Sequence, residues 1–255
     1  MKTGLKLHST NENYLEPAAE LFSAGIYDYI ELYIVPDSLK FIEKWSALEI
    51  PFIIHAPHSM SGLNPARKES AEQNLNLVGQ VDEYRNALRP EFIIFHPGID
   101  GEIEESIRQF ESFIKFYPEL HPHILIENKP VVGLNNESCI GSTPDAIRKM
   151  LTELNTGFCL DIGHAIYAAA ALNRAFREFL KEFSLLEPAV YHLSDGKVGS
   201  VKDIHLHLGE GDLPLGDIIR DIPPDAMLTL ETPKGSKEEL NSFKADIEFV
   251  RRILQ

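Results

Sequence analysis

The stretch Phe92-Ile93-Ile94-Phe95-His96-Pro97-Gly98 sets the pattern for the chain. Four apolar residues in a row, without polar alternation, describe a strand covered on both faces, as in a parallel sheet. The run stops on an imidazole, and Pro-Gly then turns the chain away. The same arrangement recurs in both directions. Strands are expected at Leu5–His8, Tyr29–Ile34, Phe52–His55, Phe92–His96, Ile124–Glu127, Gly157–Asp161, Val190–His192 and Leu228–Glu231. Between them lie helical spacings such as Leu15/Ala18/Ala19/Phe22, Leu75/Val78 and Ile103/Ile107/Phe110/Ile114. Leu240, Phe243, Ile247, Val250 and Leu254 make the clearest helical stripe. Ser142-Thr143-Pro144-Asp145 marks a helix start, with a hydroxyl cap, Pro at the first helical position and an acid in the first turn.

Eight β/α units in 255 residues fit an α/β fold, a (β/α)8 TIM barrel formed as one domain over residues 1–255. A doubly wound open sheet is the rival, but it usually follows its first strand with a Gly-rich turn. Here that turn is His8-Ser9-Thr10-Asn11. Apolar residues at 44% and charged residues at 25% are ordinary for a globular protein. The longest apolar run, Ala165–Leu172, is far below the ~20 residues that span a bilayer, so no membrane partner is expected. Two cysteines are too few for a disulfide framework and no leader pattern opens the chain, which points to the cytoplasm. The formal charge of −15 weighs against a large basic face for nucleic acid. Nothing in the sequence fixes an oligomeric state.

In a barrel the chemistry lies where the strands end. Six runs end on a residue able to bind metal: His55, His96, Glu127, Asp161, His192 and Glu231. His164 follows Asp161 by three residues, and Asp203-Ile204-His205 lies in the loop after the seventh run. A lone His or Glu at a strand end is more often a structural or capping group. A whole set at one end of successive strands is different, because so many carboxylates in one bowl would repel one another and lose hydration. Divalent metal removes both problems, and mixed imidazole and carboxylate suits zinc, manganese or iron. His58 competes with His55 for the same role, and His207 ranks below His205. His121 and His123 fall at the other end of the barrel, where a structural role is expected. Cys159 reads as packing.

These residues resemble the xylose isomerase-like TIM-barrel superfamily, and within it the endonuclease IV (AP endonuclease family 2) branch. The matching motifs are His55-Ala56-Pro57, His96-Pro97-Gly98, Glu127-Asn128 and Gly157-Phe158-Cys159-Leu160-Asp161-Ile162-Gly163-His164. They continue through His192-Leu193-Ser194-Asp195, Asp203-Ile204-His205 with Leu208-Gly209-Glu210-Gly211, and Leu230-Glu231-Thr232-Pro233. The resemblance implies up to three Zn²⁺ per chain. His55, His96 and Glu127 would hold the first. Glu127 would bridge to a second held also by Asp161, His192 and Glu231, and His164, Asp203 and His205 would hold a third. It implies hydrolysis of a phosphodiester, in abasic-site DNA or a smaller phosphoester, by a metal-bridging hydroxide.

Some segments depart from that branch. The loops Thr10-Asn11-Glu12-Asn13 and His58-Ser59-Met60 lack the basic and aromatic residues that enter DNA, and Lys129-Pro130-Val131-Val132 replaces a Gly-rich run. The second strand ends Glu31-Leu32-Tyr33-Ile34, a form more typical of the sugar isomerases and epimerases. The alternative is therefore a sugar or sugar phosphate isomerase or epimerase. It would carry Mn²⁺ or Mg²⁺ on Glu127, Asp161, His192 and Glu231, with Glu127 and Glu231 as the catalytic acid/base pair. The expected substrate is an anionic phosphoester or a small sugar; DNA is disfavoured by the net charge.

Overall fold

In the computed structural model, which describes residues 1–255, eight parallel strands close into a barrel in chain order. They are β1 (Lys2–His8), β2 (Tyr29–Tyr33), β3 (Phe52–His55), β4 (Ile93–Phe95), β5 (Ile124–Glu127), β6 (Gly157–Asp161), β7 (Val190–Leu193) and β8 (Met227–Leu230). Three match their expected bounds, β3, β5 and β6. The others shift by one to three residues, so that His96 and Glu231 stand just past the ends of β4 and β8. The strand β1 starts earlier than apolarity shows because Lys2 and Thr3 pair with Met227 and Leu228 of β8, closing the ring.

Nine α-helices surround the barrel: α1 (Leu15–Ser23), α2 (Ile42–Ser46), α3 (Ala71–Leu88), α4 (Ile103–Phe116), α5 (Pro144–Leu154), α6 (Ile162–Ala171), α7 (Phe176–Ser184), α8 (Leu215–Asp221) and α9 (Asn241–Leu254). Each strand is followed by one, except β6, which is followed by α6 and α7. The helix α5 starts as its sequence predicts, with Thr143 Oγ1 accepting from the Ala146 amide at 3.2 Å. No helix is long and apolar enough to cross a membrane.

Strand alternation sorts the residues into two cores. Outward-facing Ile30, Leu32, Ile54, Phe95, Ile126, Leu160 and Leu228 join the helices in the main core. Inward-facing Tyr29, Ile53, Ile94, Leu125, Cys159, Val190 and Met227 form a separate apolar plug inside the barrel. The plug rules out a pore and provides a dry floor. Two residues further along the same faces, Ile53 gives way to His55, Ile94 to His96, Leu125 to Glu127, Cys159 to Asp161 and Val190 to His192. The inner face thus changes from apolar to polar in a single step, at the C-terminal ends of the strands.

Candidate metal centre

Above the plug opens a cavity of about 540 Å³, lined among others by His55, His96, Glu127, His164, Asp203, His205 and Glu231. Glu127 is its centre. Glu127 Oε2 lies 3.1 Å from His55 Nε2, 3.1 Å from His96 Nε2 and 3.6 Å from His192 Nδ1, while Oε1 lies 3.2 Å from His164 Nδ1. Burial favours the neutral acid, but the imidazoles of His96 and His192 outweigh it and hold Glu127 well below the usual carboxylate range. Burial likewise opposes ionisation of Glu231, and Lys6 and His192 overcome it. Asp161 moves the other way, raised by burial and by the neighbouring Glu231 and Glu127. On the imidazole side, burial is outweighed at His164 by Asp161 and Asp203, which pull it up to about 10. Asp203 does the same for His205, up to about 9.

The fit to metal is decided by the imidazole nitrogens. His55 Nδ1 donates to Ala56 O at 2.8 Å, His164 Nδ1 to Asn128 O at 2.9 Å and His205 Nδ1 to Glu231 O at 2.8 Å. A carbonyl only accepts, so these bonds assign the proton of each neutral ring to Nδ1 and leave Nε2 with its lone pair. Each Nε2 then faces a carboxylate: Glu127 for His55, and Asp203 for His164 (3.4 Å) and His205 (2.8 Å). His192 is reversed, with Nε2 bonded to Glu31 Oε2 at 2.9 Å. Its Nδ1 is buried without a hydrogen-bond partner, close to Glu231 Oε1 (2.9 Å) but not aligned with it. A buried nitrogen left so costs about 1–3 kcal/mol, which a bound cation would relieve. Donors on a tetrahedral zinc stand roughly 3.3–3.6 Å apart, close to the 3.1–3.6 Å that separate His55 Nε2, His96 Nε2 and His192 Nδ1 from Glu127 Oε2.

The structure therefore brings all nine expected positions together. His55, His96 and Glu127 form one group and His164, Asp203 and His205 another, each with donor atoms within 4.8 Å of one another. Asp161 Oδ2 and Glu231 Oε1 converge on His192 Nδ1 at 3.9 and 2.9 Å, beside Glu127. His58 lines the cavity but stacks near Tyr33 and His96, and burial with the neighbouring His55 pushes it down to about 4. His55 is the one that meets Glu127. Cys159 lies near Glu127 and His192, yet burial raises its thiol to about 12, so it stays neutral within the plug. His121 and His123 bond to Leu154 O and Glu91 O, and His207 pairs with Asp246 of α9 at 2.8 Å.

Local sequence explains the positioning. The Asn128 side chain donates to Asp161 O and accepts from the Asp161 amide, tying the end of β5 to the end of β6. Asp161 Oδ1 caps α6 by accepting from the His164 amide at 2.6 Å, which fixes these two candidate ligands relative to each other. Asp195 is a loop anchor: its carboxylate accepts from the amides of Gly196, Gly209 and Gly211. A Cβ at Gly211 would lie 2.2 Å from Asp195 Oδ1, so a larger residue cannot enter that turn. The bridge between Asp195 and Leu206 then holds the segment that carries Asp203 and His205.

Two site residues escaped the strand-end search, Lys6 and Glu31. Both sit mid-strand, on β1 and β2, and are paired in register. Lys6 Nζ hydrogen-bonds Glu231 Oε1 and lies 3.0 Å from Glu31 Oε1. Their signal was present in Leu5-Lys6-Leu7 and Ile30-Glu31-Leu32. A charge between apolar neighbours in a strand buried on both faces needs a buried partner.

A closed (β/α)8 barrel with a carboxylate–imidazole cluster at the C-terminal strand ends defines an enzyme-like TIM barrel with a candidate metal centre. The chain belongs to the xylose isomerase-like TIM barrel family, whose model matches residues 19–253. It is 33% identical over 227 residues to a probable endonuclease 4 of Haloarcula marismortui, covering 80% of this chain and 76% of that one. It is 28% identical over 224 residues to a probable endonuclease 4 of Halothermothrix orenii, covering 80% and 77%. Among solved structures it is similar to endonuclease IV from Thermus thermophilus, with TM-score 0.74, 22% identity and 100% and 99% coverage. A D-tagatose 3-epimerase-like protein is equally similar in fold, with TM-score 0.74, 21% identity and 100% and 97% coverage.

Proposed function

We propose that the protein hydrolyses a phosphodiester at a zinc centre held by His55, His96, Glu127, Asp161, His164, His192, Asp203, His205 and Glu231. The observation that carries this reading is the bracing of the rings. Three imidazoles turn Nε2 toward carboxylates because Nδ1 is spent on backbone carbonyls, and a fourth presents an unpartnered Nδ1. Such bracing is how proteins orient metal-ligating histidines. When bound, clustered divalent ions lower the pKa of water and offset the charge of a phosphodiester. The chain's own residues do the rest. Glu127, with both oxygens engaged, links the groups on either side. Lys129 and Lys234, the latter donating to Thr232 O at 2.8 Å, line the cavity and favour an anion in it.

Relatives named endonuclease 4 support abasic-site DNA as the substrate; the charge of −15 and the size of the cavity favour a smaller phosphoester. The second reading, an epimerase using Glu127 and Glu231 as acid and base with Mn²⁺ or Mg²⁺, is supported by the epimerase-like fold match. Metal analysis of the purified protein separates them. Close to three equivalents of zinc, with hydrolysis of bis(p-nitrophenyl) phosphate or nicking of an abasic duplex, supports the first. One exchangeable Mn²⁺ or Mg²⁺, with no phosphodiester turnover, supports the second.

A further inference from the structure

The second ion position, built on His192 and Glu231, differs from the other two in what stands behind its ligands. Glu31 is fully buried on β2 and ligates nothing in the proposed set. Its Oε2 accepts from His192 Nε2 at 2.9 Å and from Thr229 Oγ1 at 2.6 Å. Thr229 in turn is bonded to Tyr29 OH at 2.9 Å. The Tyr29 ring reaches that hydroxyl only because β1 carries Gly4 beneath it, where a Cβ would lie 2.4 Å from the ring. Residues of three strands thus fix Glu31, and Glu31 fixes which nitrogen of His192 is free. A carboxylate behind an imidazole also makes the free nitrogen a better donor.

Lys6 acts in the opposite sense. Its ammonium bonds Glu231 Oε1, the same oxygen that lies 2.9 Å from His192 Nδ1. An ion on His192 Nδ1 and the ammonium therefore compete for one oxygen, and two cations so close repel through a poorly solvated space. The groups His55/His96/Glu127 and His164/Asp203/His205 have no lysine or arginine within 4.0 Å of their carboxylates.

We propose that Lys6 and Glu31 set the occupancy of the position shared by His192 and Glu231, Glu31 by orienting His192 and Lys6 by holding Glu231, so that this ion is the weakest bound of the three. The inference rests on the metal-centre reading above. It is tested on the full-length protein by zinc titration against a chromophoric chelator, with bound zinc counted after dialysis. The wild type should show two tight equivalents and one weaker. Glu31→Gln should weaken the third equivalent by about 10–100-fold and leave the other two. Lys6→Met should tighten the third equivalent by tenfold or more. Because Lys6→Met strands Glu31 without its ammonium, Lys6→Met/Glu31→Gln is made alongside; it should hold the third equivalent more tightly than Glu31→Gln alone. Equal affinities in those two variants, or all three equivalents moving together, overturn the inference. A wild type that binds no divalent ion overturns the metal centre itself, before any variant is compared.

Discussion

The two walls of the bowl reach similar ligand geometry by different means. On the wall formed by the ends of β3 to β6, the rings of His55 and His164 lean on the main-chain carbonyls of Ala56 and Asn128. On the wall formed by β7, β8, β1 and β2, His192 leans on the Glu31 side chain and Glu231 is held by the Lys6 ammonium, while His205, in the loop after β7, alone leans on a main-chain carbonyl, that of Glu231. Main-chain bracing needs only the right turn after the strand. Side-chain bracing needs particular residues on neighbouring strands, and it brings charges that an incoming ion must meet. The first wall is a set of ligands waiting; the second is already occupied by an internal cation.

The largest effect is expected where the walls join. Glu127→Gln removes the carboxylate that meets His55, His96 and His164 on one wall and His192 on the other, and should reduce phosphodiester turnover by roughly 10²-fold or more and lower bound zinc. Retained metal and activity would break the idea of a joined site. Next is stripping the protein with a chelator. Ligands that bind the native state at 1,000 times their dissociation constant stabilise it by about 4 kcal/mol, so the thermal midpoint should fall by several degrees and recover with zinc.

The metal-free protein should then show a pH dependence set by both walls. His164 and His205 are raised above the ordinary 6.5, to about 10 and about 9. Their contribution to stability is full below about pH 6.5 and is lost as pH climbs through 9 to 10. Glu127 and Glu231, depressed, contribute above the usual carboxylate range and lose that contribution in acid. Denaturant melts of the stripped protein from pH 2 to 10 should therefore weaken below the usual carboxylate range and again as pH climbs toward 9 to 10, and a steady rise to pH 10 would contradict the imidazole–carboxylate pairing. Asn128→Ala should cost about 1–3 kcal/mol, from two lost hydrogen bonds to the main chain of Asp161, and affect the β5–β6 wall first. The smallest effect belongs to His58→Ala, which should leave zinc content unchanged; loss of an equivalent would move the ligand role from His55 to its neighbour.

The barrel and the first wall were legible because both rest on short-range rules. Runs such as Phe52-Ile53-Ile54-His55 report strand burial, and the ligand follows two residues after the plug residue on the same face. The second wall was legible only in its ligands. Lys6 and Glu31 meet Glu231 and His192 across the closed sheet, and pairing of that kind has no spacing along the chain to announce it. The start of β1 was obscured for a related reason, since Lys2 and Thr3 become strand by pairing with β8 and not through their own apolarity.

The bond between Lys6 and Glu231 joins residues 225 apart, across the seam where the last strand meets the first. Ribosomal synthesis completes His55, His96 and Glu127 long before Glu231 exists. The residues of one proposed ion position, His55, His96 and Glu127, thus lie in the first half of the chain, whereas the position beside Lys6 needs Glu231 at the end of β8 and so the closed ring. A chain that stopped short of the end of β8 would keep Lys6 beside Glu31 but would lack Glu231, and with it the second half of that position.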